Sequence, residues 1–373
     1  MDESKKLSEL EKYIVELETV VEVSREISST LDVSKVMDVV LDACMGAVKA
    51  EAGTLWILED DEYLLPLAIR GPKADRLKGL KLKKGEGIAG NVCETREPVF
   101  VEDVIRDARW AKRFDASTGF VTRSMLVVPI YTGEKTVGSL QMINKLDGTL
   151  FNELDLRISK ALAVQSAKII VNSRIHTHQR QLLDSLLKTI ASLLDARDPF
   201  IKGHSERVSR NALLIARELE LSTEEQEVIE RAALVHDIGK IVIGEEVLLN
   251  ADPLDAKAWE QINKHPSLGA NILFQLEPKT VVRQLWAGTM YHHERYDGNG
   301  FPVGLSKEDI PLVARIIAIA NDFDIMITKQ RYVRAKSVKE ALEEIERCSG
   351  SSYDPELVSI FVKAIRRQNE GVE

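Results

Sequence analysis

His236-Asp237 sits at the end of an apolar run, Ala233-Leu234-Val235, and is followed by Ile238-Gly239-Lys240. An imidazole and a carboxylate side by side can hold a divalent metal from one short piece of backbone. Lys240 lies about one helical turn past His236, which puts its ammonium on the same face. Four more histidines, His204, His265, His292 and His293, stand at wide intervals, each at a predicted helix end or junction. One such residue is more often a capped or core histidine than a ligand. Five in a helical segment with few aromatics are hard to read as packing. Imidazoles in number suit iron, manganese or zinc, not magnesium or calcium alone.

All seven histidines lie after residue 175, which splits the chain into parts of different chemistry. The 373 residues suggest two or three domains, and 44% hydrophobic residues can fill sizeable cores. A net charge of -9 argues against general nucleic-acid binding, so no DNA partner is expected, and an anionic substrate needs a local positive source. Three scattered cysteines (Cys44, Cys93, Cys348) fit neither a disulfide framework nor a CxxC zinc site. Residues 5–30 read as a charged amphipathic helix, not a signal peptide, and no run approaches the length of a membrane span. The chain reads as cytoplasmic.

The elements that must position these residues follow from periodicity. A helix capped by Asp32 or Ser34 runs through Val36, Val40 and Met45. From Ala52 the period changes to two, giving strands at 53–58, 63–68, 98–101, 124–130 and 137–144, with a helix starting near Gly87. This is an α+β domain with an antiparallel sheet flanked by helices. Residues 153–196 lack proline and glycine and keep a helical apolar period, predicting one long linking helix. Charge on its other faces points to a two-chain coiled coil, hence a homodimer; the alternative is packing on its own domains. His176 and His178, at i and i+2, are surface residues of that helix. The remainder is helical: 205–221, a helix opened by the Ser222-Thr223-Glu224-Glu225 capping box and ending at His236-Asp237, then 254–264, 266–276, 283–291, 311–326, 338–347 and 355–368.

Residues 15–175 resemble a GAF domain, carried by Gly87-Ile88-Ala89-Gly90, Thr95 with Pro98, Thr118-Gly119-Phe120 with Thr122, Pro129, and Asn144-Lys145 followed by Phe151 and Asp155. The last set is similar to the Asn-Lys…Phe-x-x-x-Asp signature of cyclic-nucleotide-binding GAF domains, with Leu156 where that signature has Glu. It implies a small-molecule ligand, a cyclic mononucleotide in the closest analogy. The alternative is that Lys145 and Asp155 form an ion pair that pins a loop.

The second half resembles the HD-GYP family. The matching stretches are Lys202–Val208, Ala232–Lys240, Lys264-His265-Pro266, His292–Pro302, Ile310–Ile316 and Asp322-Phe323-Asp324. The resemblance implies an all-α bundle around a metal cluster, hydrolysing cyclic di-GMP to the linear dinucleotide pGpG or to GMP. Carried over residue by residue, His204, His236, Asp237, His265, His292 and His293 match metal ligands, and Lys240 matches the lysine that reaches the scissile phosphate. Two metals sharing a bridging water would lower its pKa. The domains implied are a GAF sensor over 1–153, a linking helix over 154–197 and the HD-GYP domain over 198–373.

Three departures qualify this. The Gly-Tyr-Pro of the family is Gly300-Phe301-Pro302, which loses a hydroxyl. The ligand aspartate falls on Asn321, which offers a carbonyl oxygen without charge, while Asp322 points about 100° away on a helix. Phe200 stands where members with a third metal carry Glu, so two divalent ions, iron or manganese, are expected at most. Arg331 and Arg334 either hold the substrate's other phosphate or are simply solvated. Three functions follow: a GAF-regulated cyclic di-GMP phosphodiesterase, a degenerate receptor with little turnover, or an HD-type phosphohydrolase for another nucleotide.

Overall fold

A computed structural model describes residues 33–72, 74–111, 119–197, 202–248, 255–328 and 334–370, and the chain divides into two compact units at 179/180. The expected 5–30 helix, Asp32, Thr118, Phe200 and Arg331 lie outside the described residues.

The first unit begins with helix α1 (Val33–Val48) and continues through β1 (Ala50–Glu59), β2 (Tyr63–Arg70), β3 (Leu82–Lys83), α2 (Gly87–Thr95), β4 (Val99–Val101), β5 (Met125–Thr132) and β6 (Lys135–Lys145). The six strands form one antiparallel sheet in the order β3-β2-β1-β6-β5-β4. Both sheet faces are buried, and the two-residue period sorts the side chains. Leu126, Val128 and Ile130 of β5 join Leu55, Leu140 and Met142 under α1 and the start of the next helix. Met125 and Val127 point to the other face, where Ile88, Val92 and Cys93 of α2 cover them. The two-residue β3 was not expected; it is too short to show a period.

Helix α3 (Glu153–Arg197) is the predicted long helix, and the unit boundary falls within it. His176 and His178 are exposed on it, as expected. The second unit holds the end of α3 and helices α4 (His204–Glu218), α5 (Thr223–Val235), α6 (Glu245–Leu248), α7 (Ala256–Ile262), α8 (His265–Leu273), α9 (Lys279–Tyr291), α10 (Leu312–Ile327), α11 (Val338–Arg347) and α12 (Pro355–Glu370). Their shared core runs from Leu187 and Leu194 through Ile215, Leu234 and Ile316 to Phe361. The expected capping box opens α5: Glu225 N donates to Ser222 Oγ at 3.3 Å and Ser222 N donates to Glu225 Oε2 at 2.9 Å. No helix among the described residues is long and apolar enough to cross a membrane.

Candidate metal centre

The five histidines are placed by helix ends. His236 caps the C-terminus of α5, His292 that of α9, His265 opens α8 just past α7, and His204 opens α4. Helix C-termini leave carbonyls without intrahelical donors. His236 Nδ1 donates to Ala233 O at 2.7 Å, His265 Nδ1 to Ile262 O at 2.7 Å, and His292 Nδ1 to Thr289 O at 2.8 Å, each three residues back. A carbonyl only accepts, so Nδ1 carries the proton and Nε2 presents its lone pair. His204 Nδ1 donates to Asp324 Oδ2 at 2.7 Å, and Arg207 Nε grips Asp324 Oδ1 at 2.6 Å. Such outer partners fix the ring orientation of metal-binding histidines.

The Nε2 atoms converge on Asp237. Its Oδ1 lies 3.1 Å from His265 Nε2 and 3.9 Å from His292 Nε2; its Oδ2 lies 3.4 Å from His236 Nε2 and 3.8 Å from His204 Nε2. The donors fall into two groups, His204-His236-Asp237 and His265-His292-His293, each with its ligand atoms within 4.8 Å of one another. Asp237 thus belongs to one group and turns an oxygen to the other. Lys240 Nζ donates to Asp237 Oδ2 at 2.5 Å. Lys240 is placed one turn past Asp237 rather than past His236. Residues 238–242 form a 3₁₀ turn, in which i and i+3 eclipse.

Two observations fit this cluster to metal ions. His204 Nε2 and His236 Nε2 are buried and have no hydrogen-bond partner. His265 Nε2 and His292 Nε2 lie 3.2 Å apart although both Nδ1 atoms carry protons, so the two lone pairs repel unless a cation lies against them. Burial, reinforced by the surrounding imidazoles, holds His292 well below its usual range and His293 down to about 3. Burial alone would raise the Asp237 pKa, but the Lys240 ammonium and His236 hold it well below the carboxylate range. Burial likewise opposes a proton on His236, and the Asp237 charge overrides it, leaving that pKa raised.

These shifts set the pH dependence of the metal-free fold. A histidine with a depressed folded pKa contributes fully above its unfolded value of 6.5, and the contribution is lost as pH falls toward the folded value. His292 and His293 act in this sense. His236, with a raised pKa, gains its stability as pH falls through its folded value to 6.5 and adds nothing further below that, so it offsets only part of their loss. The metal-stripped chain is therefore expected to lose about 3 kcal/mol between pH 7.5 and pH 5. Urea unfolding at the two pH values checks this; a midpoint that rises toward pH 5 contradicts it.

The loop after α9 closes one wall. Phe301 stacks on His293 with ring centroids 4.8 Å apart and 18° between planes, so it orients that imidazole. Buried Glu294 accepts the backbone N–H groups of Val303, Gly304 and Leu305 at 2.8–3.1 Å. Gly300 lies so close to this segment that a Cβ would sit 2.3 Å from Arg295 N. Phe301 is half-buried and Pro302 exposed.

Asn321 is buried, and its Nδ2 donates to Asp322 Oδ1 at 3.1 Å; Asp322 Oδ2 accepts from Tyr353 Oη at 2.8 Å. Asp322 is thus held by Asn321 and Tyr353 rather than by the histidines. Arg334 is exposed. In the first unit, Lys145 Nζ donates to both Asp155 oxygens at 2.8 and 3.1 Å, and Asn152 N donates to Asp155 Oδ2 at 2.8 Å, the geometry of an ion pair pinning a loop. Lys145 Nζ also lies 6.0 Å from the Phe151 ring centroid, and Asn144 Oδ1 accepts from Arg123 N and Ser124 N. None of these four lines the cavity of about 80 Å³ bounded by Thr54, Trp56, Ile88, Trp110, Phe120 and Gln141.

Sequence reading gave no structural role to Asp324, Arg207 and Glu294. Asp324 meets His204 across 120 residues, a pairing no local pattern encodes.

Residues 30–171 match the family model of the GAF domain, and residues 188–357 that of the HD domain. A cyclic di-GMP phosphodiesterase of Thermotoga maritima is 36% identical over 50% of this chain and 50% of its own. A 3'3'-cGAMP-specific phosphodiesterase of Vibrio cholerae is 35% identical over 49% of this chain and 39% of its own. A cyclic di-GMP phosphodiesterase response regulator of Xanthomonas campestris is 34% identical over 57% and 58%. The chain spans about half the length of the curated relatives it matches. By these matches the chain carries a GAF domain followed by an HD domain.

Proposed function

We propose that the HD domain hydrolyses the phosphodiester bonds of cyclic di-GMP, to pGpG or GMP, under control of the GAF domain. The observation that carries this is the pair of three-ligand groups that meet at Asp237, with Lys240 at their edge. His204, His236 and Asp237 would hold one divalent ion and His265, His292 and His293 a second; nitrogen ligands in this number suit iron or manganese. Bound there, the ions supply Lewis acidity and lower the pKa of a water molecule. The chain supplies the rest. Asp324 and the helix-end carbonyls keep four imidazoles in the Nδ1-protonated form. Lys240, with 28% of its side chain exposed, can turn its ammonium to a phosphoryl oxygen and stabilise charge that grows there. The Phe301–His293 stack forms a wall beside it. Arg331 and Arg334 are the side chains for the substrate's second phosphate.

Two further readings concern the sensor half. Ile175, Leu182, Leu186 and Leu193 of α3 are exposed at spacings of seven, four and seven, the period of a coiled-coil seam, which supports a homodimer through this helix. The GAF cavity is mostly apolar, and the one cation among the described residues that line it, Arg70, is already bonded to Asp38 and Asp42. It suits a small neutral molecule better than a cyclic mononucleotide.

A receptor with little turnover is the second reading, favoured by the uncharged Asn321. Asn321→Asp tests it. The variant places two buried carboxylates side by side and removes a donor to Asp322, so the metal-free chain should lose about 1–3 kcal/mol. If Asn321 faces a metal, the same change should raise cyclic di-GMP turnover at limiting iron or manganese by about tenfold or more. A turnover that stays at the wild-type level would remove Asn321 as the cause of weak activity.

A further inference from the structure

The last turn of α3 reaches the centre from outside the ligand set. The Arg197 guanidinium donates to three backbone carbonyls: Lys240 O at 3.2 Å and Ile241 O at 2.5 Å through Nη1, and Ile243 O at 3.0 Å through Nη2. These belong to the 3₁₀ turn that carries Lys240, or to the residue that ends it. At the ends of the turn, Lys240 N donates to Asp237 O at 2.9 Å and Ile243 N to Lys240 O at 3.1 Å. Ile238 and Ile243 anchor the two ends of the turn by burial, whereas Ile241 and Val242 between them are exposed. Lys240 O thus already has one donor, and the carbonyls that follow it lie at the end of the turn, where a cation is favoured. A planar guanidinium can meet three splayed oxygens at once; an ammonium cannot match that fork. Two residues earlier on α3, buried Asp195 accepts from Ser205 Oγ at 2.9 Å, and Ser205 follows the ligand His204.

We propose that Arg197 is the positioning residue for Lys240. By holding the carbonyl of Lys240 and those of the next residues, it fixes the backbone from which the ammonium is aimed, while touching none of the metal ligands itself. The inference rests on the reading above that Lys240 meets a phosphoryl oxygen of the substrate.

The test uses the full chain. In Arg197→Ala, kcat for cyclic di-GMP should fall roughly ten- to a hundredfold with the metal content unchanged. Arg197→Lys should recover part of the loss. The same change made in a Lys240→Ala background should add almost nothing, because a residue that acts through Lys240 has nothing left to aim. Hydrogen exchange on the metal-free chain gives a reading independent of activity: the amides of Lys240 and Ile243 should exchange faster in Arg197→Ala than in wild type. A wild-type kcat in Arg197→Ala, a full further loss in the Lys240→Ala background, or unchanged exchange at those two amides would each overturn the proposal. Wild-type protein inactive with every metal would instead defeat the phosphodiesterase reading, and the exchange measurement would still decide whether Arg197 holds the turn.

Discussion

Asp237→Asn should cost about 10³-fold or more in cyclic di-GMP turnover while leaving the protein folded. Asp237 is the one charged side chain among the six ligand residues, and its two oxygens face different histidine pairs. Losing the charge weakens the hold on both ions at once, where replacing any one histidine weakens one group. The fold should survive, because the other partner of the carboxylate, Lys240, is part-exposed and can return its ammonium to water. Metal analysis beside circular dichroism separates the two effects. A variant that kept both metals and lost only activity would assign Asp237 a role other than ligation.

Gly239→Ala should be nearly as damaging, for a steric reason. A Cβ at 239 would lie 1.9 Å from His265 O and 2.5 Å from Gly269 N, both backbone atoms that cannot turn aside. The close approach of the 3₁₀ turn to α8 sets Asp237 beside His265, so a methyl group there must push the two apart. A displacement of about 1 Å costs on the order of a hundredfold in rate, and overpacking of this kind about 1–3 kcal/mol in stability. Gly46→Ala is the control. Gly46 lies inside α1 with nothing within 4 Å of an added Cβ, so that change should leave activity intact and stabilise the fold by about 0.5–1 kcal/mol. Equal effects of the two substitutions would contradict this account of Gly239.

Much of the centre was legible in the chain because its ligands sit at helix ends, and helix ends are written locally. The Ser222–Glu225 box marks where α5 starts, and His236 stands where it stops. The carbonyl three residues before each of His236, His265 and His292 explains why a histidine at such an end keeps one ring nitrogen bare. The angular offset between residues 321 and 322 was legible from the helical period, but the bond from Tyr353 to Asp322 crosses 31 residues and was not. What was not legible depends on tertiary contact or on irregular backbone. The 3₁₀ geometry after Asp237 moves Lys240 onto the carboxylate, and a pattern based on the α-helical period cannot show it. Arg197 reaches its carbonyls across 43 to 46 residues, and Arg207 reaches Asp324 across 117. The Asn144-Lys145 motif was visible as a motif, yet whether Lys145 meets a ligand or Asp155 depends on where the loop after β6 packs.

Two metal ions held around Asp237 are proposed to make this domain a cyclic dinucleotide phosphodiesterase. The most direct test is the rate of cyclic di-GMP hydrolysis by the metal-stripped full chain as iron or manganese is added back anaerobically. Turnover should be absent without metal and should rise to a plateau at two equivalents per chain. A plateau at one equivalent, or hydrolysis by the metal-free chain, would contradict the proposal.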